Sequence, residues 1–228
     1  MSDTFFVGID GPAGSGKSSV SKQAARRLGF GYLDTGAVYR ALAWYVLDRG
    51  DSTNDPAAVE EAFASFEPDV SLDPDERTVR VGGTDVTAAI RSPETTAAVA
   101  GVAKTLSVRE KVNALFRRLV ADAPQPGVVV EGRDITTVVA PDAPVRILLT
   151  AHPDVRAARR SAEVGSDDVA AIAESLRRRD ASDSTVVDFM NAAEGVTAVD
   201  TTHLDFDQSV DAVLRVIDER REGGRDGR

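Results

Sequence analysis

The chain has 228 residues, 42% of them hydrophobic, and a formal charge of −10, which suits one elaborated domain with a sizeable core. The acid surplus argues against a nucleic-acid partner, and it means that any nucleotide must be caught by a local cationic cluster. No apolar run approaches the roughly 18–20 residues of a membrane span, there is no cysteine, and Met1-Ser2-Asp3 opens neither a basic region nor a cleavable apolar stretch, so a cytoplasmic, monomeric protein is expected.

Thr4 to Asp10 is short, apolar and rich in β-formers, as a buried parallel strand should be. The next eight residues, Gly11-Pro12-Ala13-Gly14-Ser15-Gly16-Lys17-Ser18, satisfy the pattern G-x-x-x-x-G-K-[ST], and Lys17 to about Leu28 reads as a helix. Glycines let successive N–H groups turn inward on an anion, and the helix adds its positive end. Gly11 through Ser18 is therefore the expected cradle of a nucleoside triphosphate. Lys17 reaches the β- and γ-phosphates, and the Ser18 hydroxyl completes a Mg²⁺ shell.

Apolar spacing at Ala37, Val38, Ala41, Leu42, Tyr45 and Val46 predicts a helix over Gly36–Asp48, capped by Asp34 or Thr35, with Arg40 one turn on and able to fork a phosphate. A weaker helix spans about Pro56–Phe66. Between Asp69 and Thr87, β-like pieces (Val70–Leu72, Thr78–Val81, Asp85–Thr87) alternate with turn signals, predicting a small antiparallel insert. Helices follow at Pro93–Val102 and Val108–Asp122, bracketed by Arg91 and Arg109, which mean little alone.

After the Pro124–Gly127 break, Val128-Val129-Val130 predicts a buried strand ending in Glu131-Gly132-Arg133-Asp134. Charged residues at a strand's carboxyl end lie where an open α/β sheet binds its ligand. An aspartate can accept from the exocyclic amine of cytosine, where uracil presents an acceptor. Asp134 is the candidate base reader and Arg133 a candidate phosphate ligand; the alternative is an ordinary salt-bridged turn.

A strand over Val145–Thr150 leads to a helix from Pro153 bearing Arg156, Arg159 and Arg160. A helix over Val169–Arg179 precedes a polar, lid-like stretch, Asp180–Thr185. Arginines on such segments can bring positive charge to a phosphoryl-transfer transition state, although basic runs are commonly solvated surface. The chain has only four lysines among its 27 basic residues, so arginine is the cation available. His152 and His203 are expected to be structural. A last strand, Val196–Val199, and a helix, Phe206–Arg220, precede a charged tail, 221–228, expected to be disordered. Strand–helix alternation predicts an α/β fold, a doubly wound parallel sheet with ligands at the carboxyl ends of its strands.

The loop Gly11–Ser19, the run Asp34–Arg40, the turn Gly132-Arg133-Asp134-Ile135 and the segment Arg179-Asp180-x-x-Asp183 together resemble bacterial cytidylate kinases, in order, over about Phe5–Arg220. The resemblance implies a P-loop kinase that transfers phosphate from ATP to CMP or dCMP. It implies a core of about 1–35, 124–155 and 192–220, a monophosphate-binding region of about 36–122 with its β insert at 69–87, and a helical lid of about 156–191. It places Arg40 and Arg133 on the acceptor phosphate, with Arg91 as a helper and Thr35 and Tyr39 beside them. It puts Arg109 and Asp134 on cytosine, Arg179 and Asp183 on the sugar, and Arg156 or Arg160 over the ATP phosphates. Three positions depart from the pattern: Ala100 where relatives often place a serine on the base, Thr136 for a usual glycine, and Val186 for a lid arginine. Two rival readings are a P-loop kinase for another monophosphate or small hydroxyl metabolite, and a nucleotide switch. The switch lacks support, because no Asn-Lys-x-Asp element occurs.

Overall fold

Strand β1 (Phe5–Asp10) is buried over its last four residues because parallel partners flank it on both edges. A computed structural model describes residues 4–185 and 187–223. It places β1 at the centre of a five-stranded sheet with β2 (Gly31–Asp34), β6 (Gly127–Gly132), β7 (Val145–Thr150) and β8 (Thr197–Asp200), in the order β2-β6-β1-β7-β8. Every pairing is parallel, so crossover helices must cover both faces. Register brings the carboxyl ends together: Asp10 lies opposite Gly132 and Leu148, Asp34 opposite Glu131, and Thr150 opposite Asp200. That shared edge is where the site forms.

The period-2 alternation of the strands sorts the core into two layers. Val7, Ile9, Val129, Ile147 and Leu149 point to one face, where α1 (Lys17–Leu28) and α8 (Phe206–Gly223) cover them. Leu33, Val128 and Val130 point to the other, beneath α2 (Thr35–Asp48), α4 (Pro93–Lys104) and α5 (Leu106–Ala121). Burying each such Val, Leu or Ile contributes about 1.5–3 kcal/mol. No helix among the described residues is long and apolar enough to cross a membrane.

The predicted insert is a three-stranded antiparallel sheet of β3 (Pro68–Val70), β4 (Val79–Val81) and β5 (Thr84–Asp85), reached through α3 (Pro56–Ala64). Its first and last strands lie up to two residues earlier than the β-propensity indicates, and the Leu72 carbonyl instead accepts the Tyr32 N–H at 2.8 Å, docking the insert against β2. β2 itself is absent from the sequence reading: four residues are too few to establish a period.

Helices α6 (Pro153–Val164) and α7 (Val169–Ser184) are seated on the phosphate loop through Ala13, Ala157 and Leu176. The polar stretch from Asp180, read from the sequence as a lid-like segment after the helix, is instead helical to Ser184, because Asp180 is buried against the loop and draws the helix end inward. His152 caps α6, its Nδ1 accepting from the Asp154 N–H at 3.4 Å. Helix α8 runs to Gly223, so the tail begins later than expected, and both Val186 and residues 224–228 lie outside the described residues.

Candidate active site

The phosphate loop closes over the N-terminus of α1, where Gly16 (φ 86°) leaves the first turn without a side-chain cap. Uncapped N–H groups at a helix start form a ready anion site. Gly14 is required twice over: its φ is 76°, and a Cβ there would lie 2.9 Å from the Arg156 carbonyl oxygen.

Guanidinium groups set the loop's peptide planes. Arg156 Nη1 donates to the Ala13 carbonyl at 2.9 Å, and Arg159 Nη1 donates to the Ser15 carbonyl at 3.3 Å. Across a trans peptide bond, each captured C=O obliges the following N–H, of Gly14 and of Gly16, to point the opposite way. Arg159 is tied in turn to the loop after β8, through Thr201 Oγ1 at 2.9 Å, the Thr201 carbonyl at 2.7 Å and the Leu204 carbonyl at 3.0 Å. Sequence reasoning gave Arg159 no role; only the fold shows which carbonyls it captures.

These contacts bear on two expectations. Arg156, expected over the ATP phosphates, is 6% exposed, and Nη1 is spent on Ala13 and on the Asp180 carboxylate. Arg160, the other candidate, pairs with Glu163 at 2.8 Å on the surface of α6, away from the loop. Of the expected cradle, the Ala13 N–H donates to Asp180 Oδ1 at 3.0 Å, leaving it unavailable to a phosphate, and Ser19 is exposed on α1.

Lys17 is half-buried, its Nζ 3.4 Å from the Pro12 carbonyl. Burial, reinforced by Arg133, pushes its ammonium down to about 8. At the end of β6, Glu131 is buried, with Oε1 accepting the Tyr32 hydroxyl at 2.7 Å and Oε2 unpartnered. Burial and the nearby Asp34 carboxylate push the Glu131 carboxyl up, opposed by Lys17 and by the neighbouring Ser18 hydroxyl. Sequence reasoning placed Glu131 in the charged cluster at the end of this strand but gave it no role of its own, since one acid ending an apolar strand carries no pattern.

The acceptor side starts at α2. Asp34 caps it, Oδ1 accepting from the Ala37 N–H at 2.9 Å while Oδ2 accepts from Arg40 Nη2 at 2.9 Å. The Thr35 hydroxyl donates to the Glu131 carbonyl at 2.7 Å and is buried, tying β2 to β6. The Tyr39 ring packs edge-on against Phe116 at 5.9 Å; burial and Asp134 push its hydroxyl up, and Arg109 hydrogen-bonds it. Arg91 donates to the Thr87 carbonyl and lines a small cavity of about 20 Å³ with Tyr32, Asp34 and Arg77, the last an insert arginine that the sequence reading passed over.

Arg109 Nη2 and Asp134 Oδ2 meet at 2.5 Å, both nearly buried. Arg109 also lines an open cavity of about 370 Å³ with Lys104, Leu106 and Thr185, between the start of α5 and the end of α7. Arg133 Nη1 donates to the Gly11 carbonyl at 2.5 Å, and its Nη2 lies 2.9 Å from Asp183 and 3.7 Å from Asp180. Phe189 covers its face at 4.5 Å. Arg179 lies 3.9 Å from Asp183, is over half exposed, and is close enough to Lys17 and Arg133 to depress both. The fold thus brings Lys17, Arg133, Arg179 and Asp183 into one cluster, flanked by Asp34–Arg40 and Arg109–Asp134.

The family model for cytidylate kinases matches residues 7–219. A cytidylate kinase of Cutibacterium acnes is 47% identical over 92% of this chain and 95% of its own length. Those of Streptomyces avermitilis (44%, covering 95% of this chain and 94% of its own) and Mycolicibacterium paratuberculosis (43%, covering 99% and 100%) are similarly close. The crystal structure of TT1252 from Thermus thermophilus superposes with a TM-score of 0.52 over 95% of this chain and 97% of that one, at 19% identity, a likeness of fold alone. An uncapped phosphate loop facing a cluster of guanidiniums, together with these matches, leads to one assignment: the chain belongs to the cytidylate kinase family.

Proposed function

We propose that the protein phosphorylates CMP and dCMP to their diphosphates, with ATP as donor. The observation that carries this reading is the pairing of Arg109 with Asp134 on the residue next to Arg133, which itself holds the Gly11 carbonyl. A base-reading pair and the donor loop are thereby one side chain apart. Asp134 accepts from the cytosine amine and Arg109 donates to the ring, while Arg40 and Arg133 hold the acceptor phosphate with Arg91 behind them. Arg179 and Asp183 flank the sugar.

No covalent intermediate or general base is needed, because the acceptor phosphate is a dianion near neutral pH. This chain's residues align the two phosphates and neutralise the charge that spreads over the transferring oxygens. Lys17 and the N–H groups of Gly14 and Gly16 take the donor side. Arg156 serves the donor side through the Ala13 carbonyl that it holds. Mg²⁺ fits the donor set: the Ser18 hydroxyl lies beside a buried carboxylate with an unpartnered oxygen, Glu131 Oε2, and this ion uses one or two protein oxygens with the substrate phosphates. When bound there, it would supply positive charge against the negative charge of the phosphates.

Coupled ADP-release rates with CMP, dCMP, UMP, AMP, GMP and shikimate test the assignment. CMP and dCMP should lead; equal rates with UMP would remove the role of Asp134.

A further inference from the structure

Asp10 ends β1, immediately before the phosphate loop, and is 2% exposed. Nothing in the reaction above uses it. Its carboxylate makes three bonds, all to the turn that follows β6. Oδ1 accepts from the Ile135 N–H at 3.0 Å, and Oδ2 accepts from both the Thr136 N–H and the Thr136 hydroxyl at 2.7 Å. These donors come from the first two residues after Asp134.

The turn itself is π-helical, Ile135–Val139, a geometry that closes on few backbone bonds and needs outside support. Its far end is held by α5, where Arg117 Nε donates to the Val139 carbonyl at 2.6 Å and Nη2 to the Val138 carbonyl at 3.0 Å. Arg146 Nη1 holds the Thr136 carbonyl at 3.3 Å. The same α5 carries Arg109. Asp134 is therefore suspended between two anchors, one on the strand that feeds the phosphate loop and one on the helix that carries its partner.

A buried carboxylate satisfied only by neutral donors is an expensive way to brace a turn. The neighbouring charge it feels is Asp134, which repels it, and burial pushes its carboxyl up to about 6. An apolar residue would fill the space at lower cost but would let the turn relax.

We propose that Asp10 is a positioning residue for base recognition. By holding Ile135 and Thr136 it sets the backbone of Asp134, hence the direction of the carboxylate that meets the base, and it couples that setting to the donor loop. The Thr136 hydroxyl supplies the third bond. This inference rests on the reading of Asp134 as the group that distinguishes cytosine from uracil.

The test is a comparison of Thr136→Val, which keeps volume and deletes the hydroxyl, with Thr136→Ser, which restores it, after unaltered enzyme has been assayed with CMP and UMP. Thr136→Val should lower kcat/KM for CMP about tenfold, through KM, while the KM for ATP and the rate with UMP stay within about twofold. Thr136→Ser should recover the loss. Equal losses for CMP, UMP and ATP, or no loss, would overturn the proposal, leaving Asp10 a core support. Should Thr136→Val not fold, amide exchange of the unaltered protein decides: CMP alone should slow Ile135 and Thr136, and unchanged exchange overturns the proposal. An unaltered enzyme that does not prefer CMP to UMP refutes the base-reading role first, and the brace with it.

Discussion

Raising the pH should switch off ATP capture through a single side chain. Lys17 ordinarily titrates near 10.5; burial in the loop, with Arg133 adding repulsion, brings it down to about 8. The sign is fixed by the charge type: removing water and adding a cation both disfavour the ammonium, so its proton leaves earlier as pH rises. At pH 7 the ammonium exceeds the amine about tenfold and at pH 9 the ratio is inverted, so kcat/KM for ATP should lie about tenfold below its plateau at pH 9. Neither thiols nor phenols compete on the alkaline side: the chain has no cysteine, and burial pushes Tyr32 and Tyr39 up, away from this window. The assay is the initial rate at subsaturating ATP, from pH 6 to 9.5 at constant ionic strength. In kcat the limb should move to higher pH, because a bound polyphosphate holds the proton on. Lys17→Arg, slower but permanently charged, should lack the limb altogether. A limb near pH 10, or the same limb in Lys17→Arg, would refute the reasoning.

Asp134→Asn keeps the shape of the base reader and removes its charge; the CMP-to-UMP ratio of kcat/KM should fall by about 1–3 kcal/mol of discrimination, read in parallel rate assays. Asp180→Ala leaves the Arg156 guanidinium buried without its partner, which should cost about 3–5 kcal/mol and lower the melting temperature by roughly 6–20 °C. The double change Arg156→Met, Asp180→Leu should melt higher than that single variant, and a lower melting point would contradict the pairing. Glu131→Gln should raise the Mg²⁺ concentration for half-maximal rate about tenfold or more with the KM for CMP unmoved, and chelation of divalent ions should stop turnover in the unaltered enzyme.

The donor loop is readable from sequence because its residue types are demanded by backbone geometry: nothing but glycine tolerates the φ and the approach of Arg156 at position 14. The strand–helix alternation is equally readable, since buried parallel strands must be apolar throughout. What escapes is set by tertiary partners. Arg156, Arg159 and Arg160 lie on one basic helix and look alike in the chain, yet one grips Asp180, one grips the Ser15 carbonyl and one pairs with Glu163 in solvent. Asp10 and Glu131 each end an apolar strand, and only the alignment of strand ends reveals that one faces the 135–136 turn and the other faces Ser18. The segment from Asp180 differs from its sequence reading for a similar reason: Asp180 accepts the Ala13 N–H and pairs with Arg156, and Asp183 pairs with Arg133, while Ser182, Ser184 and Thr185 stay exposed.

The central claim is that a triphosphate and a cytosine monophosphate lie end to end between the loop and the converging guanidiniums. A crystal structure with CMP and a non-hydrolysable ATP analogue measures this directly. The account predicts the cytosine amine on Asp134, the CMP phosphate between Arg40 and Arg133, and the analogue's phosphates on the N–H groups of Gly14 and Gly16. A CMP bound elsewhere, with Arg40, Arg133 and Arg179 turned to solvent, would contradict it.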